Sequence, residues 1–247
     1  MAKLFIGTSG FSYLHWEKGV FYPKELSGSR KLEYYSSQFR TVEINSSFYH
    51  LPSRKTFKCW KERTPESFIF AVKVSRYITH IKKLRGCQKE WEEFLKRAVL
   101  LGEKLGPFLF QFPESWKKDL KRLETFVKII RKTNRNFRFA FEFRHRSWFC
   151  GEVYKFFERQ KNLSFCIADS PNWPSVNDVF GGFAYFRMHG KKSLYSSNYS
   201  YEDLKSLARR IKKHLKHNLE VYCYFNNDAN GFACQNAKSL QKLCGEN

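Results

Sequence analysis

Eight short apolar runs recur along the 247 residues, and each ends in a polar or charged residue. Leu4-Phe5-Ile6 leads into Thr8 and Ser9, Thr41-Val42 into Glu43 and Asn45, Phe68 to Val72 into Lys73, and Phe108 to Phe110 into Gln111. Then Phe139 to Phe141 leads into Glu142 and Arg144, Phe165 to Ala168 into Asp169, Tyr185-Phe186 into Arg187 and His189, and Tyr222 to Phe225 into Asn226, Asn227 and Asp228. Eight strands that gather polar groups at their C-terminal ends are the plan of a (β/α)8 TIM barrel, whose site lies at that end. The expectation is an α/β chain forming one barrel domain over residues 1–247.

Segments with helical periodicity separate the runs, as the barrel requires. Ser53 to Arg63 carries Phe57 and Trp60 and stops before Pro65. Trp91, Phe94, Leu95, Ala98, Val99 and Leu101 mark a longer apolar stripe that ends near Gly102 to Pro107. Leu120 to Ile130 and Leu204 to Leu215 follow the same rule. Two connections depart from it and read as loops over the site. Gly10 to Ser29 is rich in rings and glycine. Ser170 to Gly182, between the sixth and seventh runs, holds Pro171-Asn172-Trp173-Pro174 and is too short and turn-rich for a full crossover helix, so the barrel is expected to be somewhat irregular.

A hydrophobic fraction of 42% with 26 Phe excludes a disordered chain and implies a core built largely from rings. No apolar stretch is long enough to cross a bilayer, and Met1 runs into a strand-like segment without a signal-peptide pattern. The expected compartment is the cytoplasm, with no membrane partner. The seven cysteines have neither CxxC nor metal-knuckle spacing and read as reduced thiols.

Lys plus Arg is 45 against 23 Asp plus Glu, a formal charge of +22 that attracts polyanions, nucleic acid above all. The excess is concentrated in Lys117, Lys118, Lys121, Arg122, Lys128, Arg131, Lys132, Arg135 and Arg138, and again in Lys205, Arg209, Arg210, Lys212, Lys213 and Lys216. The bland alternative is that these are solvated outer faces of barrel helices.

Strand phase sorts the site. Side chains alternate across a strand, so Glu142 and Arg144 face opposite to Phe139, Phe141 and Phe143 and point into the barrel. The same rule turns Glu43 and Asn45, Lys73, Gln111, and Arg187 with His189 inward. Charges so placed must pair with one another or meet a ligand. Cations left over would select phosphate or carboxylate. Glu43 and Glu142 are the candidate general acid and base, and His189, the one histidine at a strand end, suits proton transfer near neutral pH. His80 lies in a loop after the third strand, within reach of the same mouth. Asp169, Asn226, Asn227 and Asp228 add polar groups, and the Gly7-Thr8-Ser9-Gly10 turn offers backbone N–H groups to a phosphate.

Lys73 could form a Schiff base, but a lysine amid carboxylates reads first as a charge partner. A divalent metal is conceivable through Glu43, Glu142, Asp169, His189 and Asp228, yet convergent histidines are lacking, so no cofactor is assigned. The chain has neither a GxxxxGK[ST] loop nor a GxGxxG turn after a strand.

At these same strand ends the chain resembles a known family. IGTSGFSY at Ile6 to Tyr13, FYP at Phe21 to Pro23, VEINSSFY at Val42 to Tyr49, THIKKL at Thr79 to Leu84 and LGPFLFQFP at Leu105 to Pro113 look like successive motifs of the YecE-like family, a domain of unknown function (DUF72). EFRHRSW at Glu142 to Trp148, RMHG at Arg187 to Gly190 and YFNNDANGFACQNA at Tyr224 to Ala237 continue the match. Ser46-Ser47, where the family often has Ser-Thr, is a mild departure. The resemblance implies a TIM barrel and names no reaction. It places Tyr13, Trp16, Tyr49, Trp148 and Tyr195 in or near motifs, as an expected aromatic wall suited to a ligand with both a ring and a phosphate.

Two functions are open at this point. One is an enzyme using Glu43, Glu142 and His189 in acid-base chemistry on an anionic, phosphate-bearing substrate at the C-terminal mouth, a hydrolase or lyase for which a phosphodiester or nucleic acid is a natural target. Its substrate-binding residues would be Thr8, Ser9, Tyr13, Trp16, Asn45, Tyr49, Lys73, His80, Gln111, Arg144, Trp148, Asp169, Arg187, Asn226, Asn227 and Asp228. The other is a non-catalytic nucleic-acid-binding protein that uses its basic helices. Oligomeric state is not legible in the sequence.

Overall fold

A computed structural model describes residues 2–133 and 136–245; Arg135 of the first basic block lies outside them. The strands are β1 (Leu4–Thr8), β2 (Thr41–Ile44), β3 (Ile69–Lys73), β4 (Leu105–Gln111), β5 (Phe139–Glu142), β6 in two segments (Leu163–Phe165 and Ile167–Asp169), β7 (Ala184–Met188) and β8 (Val221–Phe225). Every ladder between them is parallel. One series runs from β2 to the first segment of β6, and the other from the second segment of β6 through β7 and β8 to β1. The two segments of β6 flank Cys166, so this strand bonds β5 with one half and β7 with the other. The remaining seam is closed where Ser9 bridges Glu43 and the Gly10 N–H donates to the Glu43 carbonyl at 2.8 Å. The result is a closed barrel of TIM type.

Helices α1 (Lys31–Gln38), α3 (Arg54–Glu62), α4 (Gln88–Ala98), α5 (Leu120–Thr133), α6 (Gly151–Glu158), α7 (Tyr201–Lys216) and α8 (Phe232–Cys244) surround it, with α2 (Ser46–Tyr49) a single turn after β2. Their starts follow local chemistry. Ser53 Oγ accepts from the Thr56 N–H at the head of α3, and Ser200 with Asp203 forms a reciprocal capping box on α7. As expected from its turn residues, 170–183 contains no helix. Among the described residues no helix is long and apolar enough to cross a membrane.

Two buried clusters show the strand phase directly. Phe108, Phe110, Phe139 and Phe141 belong to the large cluster between barrel and helices. Phe5, Ala71, Leu109, Ala140, Cys166, Tyr185, Tyr222 and Tyr224 fill the interior. The interior tyrosines each find a partner, as buried hydroxyls must. Tyr224 bonds Thr41 Oγ1 at 2.8 Å, Tyr222 accepts from Arg138 at 3.0 Å, and Tyr185 donates to Glu43 at 2.7 Å.

Gly7 sets how closely β1 can approach β2. A Cβ at that position would lie 2.2 Å from the Thr41 carbonyl oxygen, which is ladder backbone and cannot swing aside. Gly7→Ala is therefore expected to cost about 1–3 kcal/mol or more in denaturant unfolding, the range for overpacked cores. A loss under about 0.5 kcal/mol, typical of an unconstrained surface site, would show that the seam can open freely.

Candidate functional site

At the C-terminal mouth, strand ends and the loops beyond them enclose a cavity of about 500 Å³. Asn45, Lys73, Gln111, Arg144, Arg187 and Asn226 reach it from the strand ends. Tyr13, Phe48, Tyr49, Arg76, His80, Tyr195 and Asp228 reach it from the following segments. Thus Tyr13, Asn45, Tyr49, Lys73, His80, Gln111, Arg144, Arg187, Asn226 and Asp228 of the expected set are brought together.

Beneath the cavity floor lies an ion network. Arg187 Nε and Nη2 donate to Glu43 Oε2 and Oε1 at 3.0 and 2.8 Å, a bidentate fork, while Nη1 donates to Glu142 Oε2 at 2.6 Å. Glu43 also accepts from Ser9 Oγ at 2.8 Å, and Glu142 Oε1 accepts from Arg144 Nε at 2.9 Å. Glu43 and Glu142 are 0% exposed and Arg187 is 1% exposed, so the arginine covers both carboxylates. Burial alone would raise the Glu142 pKa, but Arg187, Arg144 and His189 together hold it well below the usual carboxylate range. A permanently ionised carboxylate with both oxygens occupied is poorly suited to carry protons. Against its expected role as acid or base, Glu142 is therefore poorly suited to carry protons, and both carboxylates hold arginines through fixed hydrogen bonds.

His189 is also fully buried. Asn226 Nδ2 lies 3.0 Å from its Nδ1, Glu142 lies 3.4 Å from its Nε2, and Trp173 closes over it edge-on at 5.3 Å between centroids. Burial, with Arg187 adding to it, lowers its pKa to about 4, so it is neutral at pH 7 rather than poised to titrate there.

Lys73 differs from both. Among the described residues no carboxylate comes within ion-pair distance of its Nζ, which sits 4.0 Å from the Phe48 ring centroid. Burial first, then Arg187, lowers its pKa to about 7 against the opposing pull of Glu142 and Glu43. The reading of Lys73 as a carboxylate partner is thereby overturned. His80, also on the cavity wall, is lowered to about 4 by burial and then by Lys73 and Arg144. Burial raises Asp228, which accepts from His15 at 3.2 Å. Asn45 Oδ1 is buried and has no hydrogen-bond partner among the described residues, although Asn45 borders the cavity.

Several expected site residues lie elsewhere. Trp16 is buried with its indole N–H on the Asp228 carbonyl at 2.8 Å, and Trp148 is packed 4.2 Å from the Phe143 ring outside the barrel, so neither forms the cavity wall. Thr8 faces outward and bonds Tyr35 at 2.8 Å, whereas Ser9 supports Glu43 from below. Asn227 braces Ser197 and Asn236 at 2.9 and 2.8 Å. Asp169 has the phase opposite to Cys166 and Ala168 and meets Tyr199, Lys191 and Arg210 outside the mouth. Glu43, Glu142 and His189 gather around Arg187 while Asp169 and Asp228 stand apart, and among the described residues no group of three His, Cys, Asp or Glu is placed to hold a metal ion.

Other residues escaped sequence reasoning. Tyr185 precedes Arg187 by two positions, and the period of a strand already placed it inward. Trp173 lays its ring 3.5 Å from the Arg144 guanidinium, and its indole N–H donates to Glu114. Its Pro-flanked loop was the signal. Phe48 and Arg76 carried none beyond their nearness to strand ends.

These features define a (β/α)8 barrel with a cation-lined pocket at its C-terminal mouth. The family model described as "Protein of unknown function DUF72" matches residues 5–247, and the chain belongs to that family. It is 25% identical to the UPF0759 protein YunF of Bacillus subtilis, over 97% of this chain and 94% of that one. It is 28% identical to the UPF0759 protein YecE of Escherichia coli K12, over 68% of this chain and 59% of YecE. A solved DUF72 family protein from Thermotoga maritima superposes with a TM-score of 0.86 at 33% identity, covering 99% of this chain and 100% of that one. Another from Enterococcus faecalis gives 0.82 at 23% identity, covering 100% and 96%.

Proposed function

We propose that this barrel binds and transforms a small phosphate-bearing substrate with a planar or apolar portion. The observation that carries this is the excess of cations: Lys73, Arg76, Arg144 and Arg187 border the cavity against Asp228 alone among the described carboxylates, while Glu43 and Glu142 are fully buried outside its lining. Arg144 and Arg187, held in fixed orientation by their carboxylates, are the phosphate-binding pair. Tyr13, Phe48, Tyr49 and Tyr195 receive the ring, and Asn45 Oδ1 accepts from a ligand donor. Proton transfer in this reading falls to Lys73, His80 and Asp228, titratable groups on the cavity wall. A cytoplasmic setting belongs to the same reading, and the seven cysteines, none in a disulfide, fit it.

Calorimetric titration with phenyl phosphate, inorganic phosphate and phenol tests it. Phenyl phosphate is expected to bind tightest, and Arg144→Gln to weaken it about 10- to 100-fold, the worth of a charge-assisted hydrogen bond. Affinity should also weaken as pH rises through about 7, where Lys73 loses its charge. Equal binding of phenol, or an unaffected Arg144→Gln, would overturn the reading.

A second reading has its own observation. Lys128, Arg131, Lys132, Arg159 and Lys161 line a groove of about 890 Å³ beside α5 and α6, with Asn162 at the entry to β6 placing it away from the mouth. We propose nucleic acid as the partner of that groove. Affinity for duplex DNA should fall steeply with salt, and Lys128→Ala with Lys132→Ala should reduce the slope. A flat salt dependence contradicts it.

A further inference from the structure

We propose that Lys73 is a carbonyl-capturing amine: its Nζ adds to the aldehyde or ketone of a small phosphate-bearing substrate and expels water to leave an iminium. The proposal rests on the anion-site reading above and names the reactive group within it. Four features of the site support it. Lys73 stands at the C-terminal end of β3, on a backbone pinned by Ser47 Oγ donating to its carbonyl at 2.7 Å. Its amine reaches the cavity with an aromatic ring at 4.0 Å and no carboxylate in ion-pair range among the described residues. The groups that set its charge come from every side: Arg187 on β7, Glu142 and Arg144 on and after β5, Glu43 on β2, and His80 after β3. Burial first, and then Arg187, outweigh the pull of two glutamates that are hydrogen-bonded to arginines, so a free amine is populated at neutral pH. A lysine committed to a salt bridge would have no such lone pair.

The chemistry balances without an oxidant or metal. The amine lone pair forms the C–N bond as the carbonyl π bond breaks, nitrogen gives up one proton and the alkoxide oxygen takes one, leaving a neutral carbinolamine. A second proton added to that hydroxyl lets it leave as water while the nitrogen lone pair forms the C=N bond of the iminium. His80 and Asp228, both on the cavity wall, are the groups placed to move the protons. Arginines that bind the phosphate hold the carbonyl near Nζ, converting the addition into an intramolecular step.

Pyridoxal 5′-phosphate, an aldehyde with a ring and a phosphate, is the probe, and pyridoxine 5′-phosphate, its alcohol, is the control. The protein is treated with substoichiometric aldehyde at neutral pH, reduced with borohydride, digested and mapped by mass spectrometry. Reduced adduct is expected at Lys73 in preference to any surface lysine. A larger free-amine fraction, offset by nucleophilicity falling with basicity as it does for thiolates, gives a preference on the order of tenfold to a hundredfold. Lys73→Arg should abolish that site, the alcohol should protect it, and its labelling should rise with pH around 7. Adduct spread evenly over surface lysines, or unchanged total labelling in Lys73→Arg, overturns the proposal. If the alcohol binds and Lys73 stays unlabelled, covalent capture fails while the anion site stands; if neither compound binds, both fail.

Discussion

Arg187→Ala is expected to lower the stability of the barrel by about 3–5 kcal/mol, the cost of breaking a buried ion network by removing one partner. Arg187 makes three hydrogen bonds to Glu43 and Glu142, and all three residues are at most 1% exposed. Without the guanidinium two carboxylates face each other in a dry interior, with Ser9, Tyr185, Arg144 and His189 still beside them. Taking up a proton is their escape, so the loss should deepen as pH rises. Arg187→Lys should fall between wild type and Arg187→Ala, since a point charge cannot replace a fork that spans two acids. Denaturant unfolding measures all three proteins. A loss below about 1 kcal/mol, the worth of a surface ion pair, would mean that the carboxylates are hydrated and not sealed. Adding Glu43→Gln and Glu142→Gln to Arg187→Met should restore part of the stability, because neutral partners no longer need the arginine.

Acid is the second sensitive axis. The unfolded chain protonates His189 near pH 6.5, whereas the folded chain resists until about pH 4. Between these values the unfolded state binds the extra proton, so stability rises with pH across the window and is lost as pH falls through it. His189 alone is expected to remove roughly 3 kcal/mol between pH 6.5 and 4. His80, lowered to about 4 but less deeply buried, adds a smaller loss of the same sign. Glu142, held below its ordinary range, contributes stability above about pH 4.5 that disappears on further acidification. Unfolding free energies measured across this range should show the slope, and His189→Asn should flatten it between pH 6.5 and 4. An unchanged slope in that variant would move the acid sensitivity away from the imidazole.

Which parts of this were legible in the sequence follows from what is local. Alternation along a strand is local, so the inward placement of Glu43, Lys73, Glu142, Arg144 and Arg187 could be read before any coordinates. The absence of a helix between β6 and β7 was written in Pro171, Asn172 and Pro174. Its strand-end position alone puts Asp169 at the mouth, whereas its phase, opposite to that of Cys166 and Ala168, turns it outward. Depth along the barrel axis is not local: it depends on the stagger of neighbouring strands. That stagger brings Glu43 and Glu142 against Arg187 and leaves them out of the cavity lining. Trp16 and Trp148 show the same limit, since an aromatic residue in a motif says nothing of which side of the sheet will pack it. The sequence offers carboxylates as partners for Lys73, and only the geometry shows that the arginines take them.

The central claim is that the mouth is an anion receptor floored by a closed ion network, and an experimental structure with bound phenyl phosphate tests it most directly. The account predicts the phosphate against Arg144 and Arg187, the ring among Phe48, Tyr49 and Tyr13, and the bonds from Arg187 to Glu43 and Glu142 still in place. Phosphate found only in the α5–α6 groove with the mouth unfilled, or bound at the mouth with those carboxylates released to face it, would contradict it.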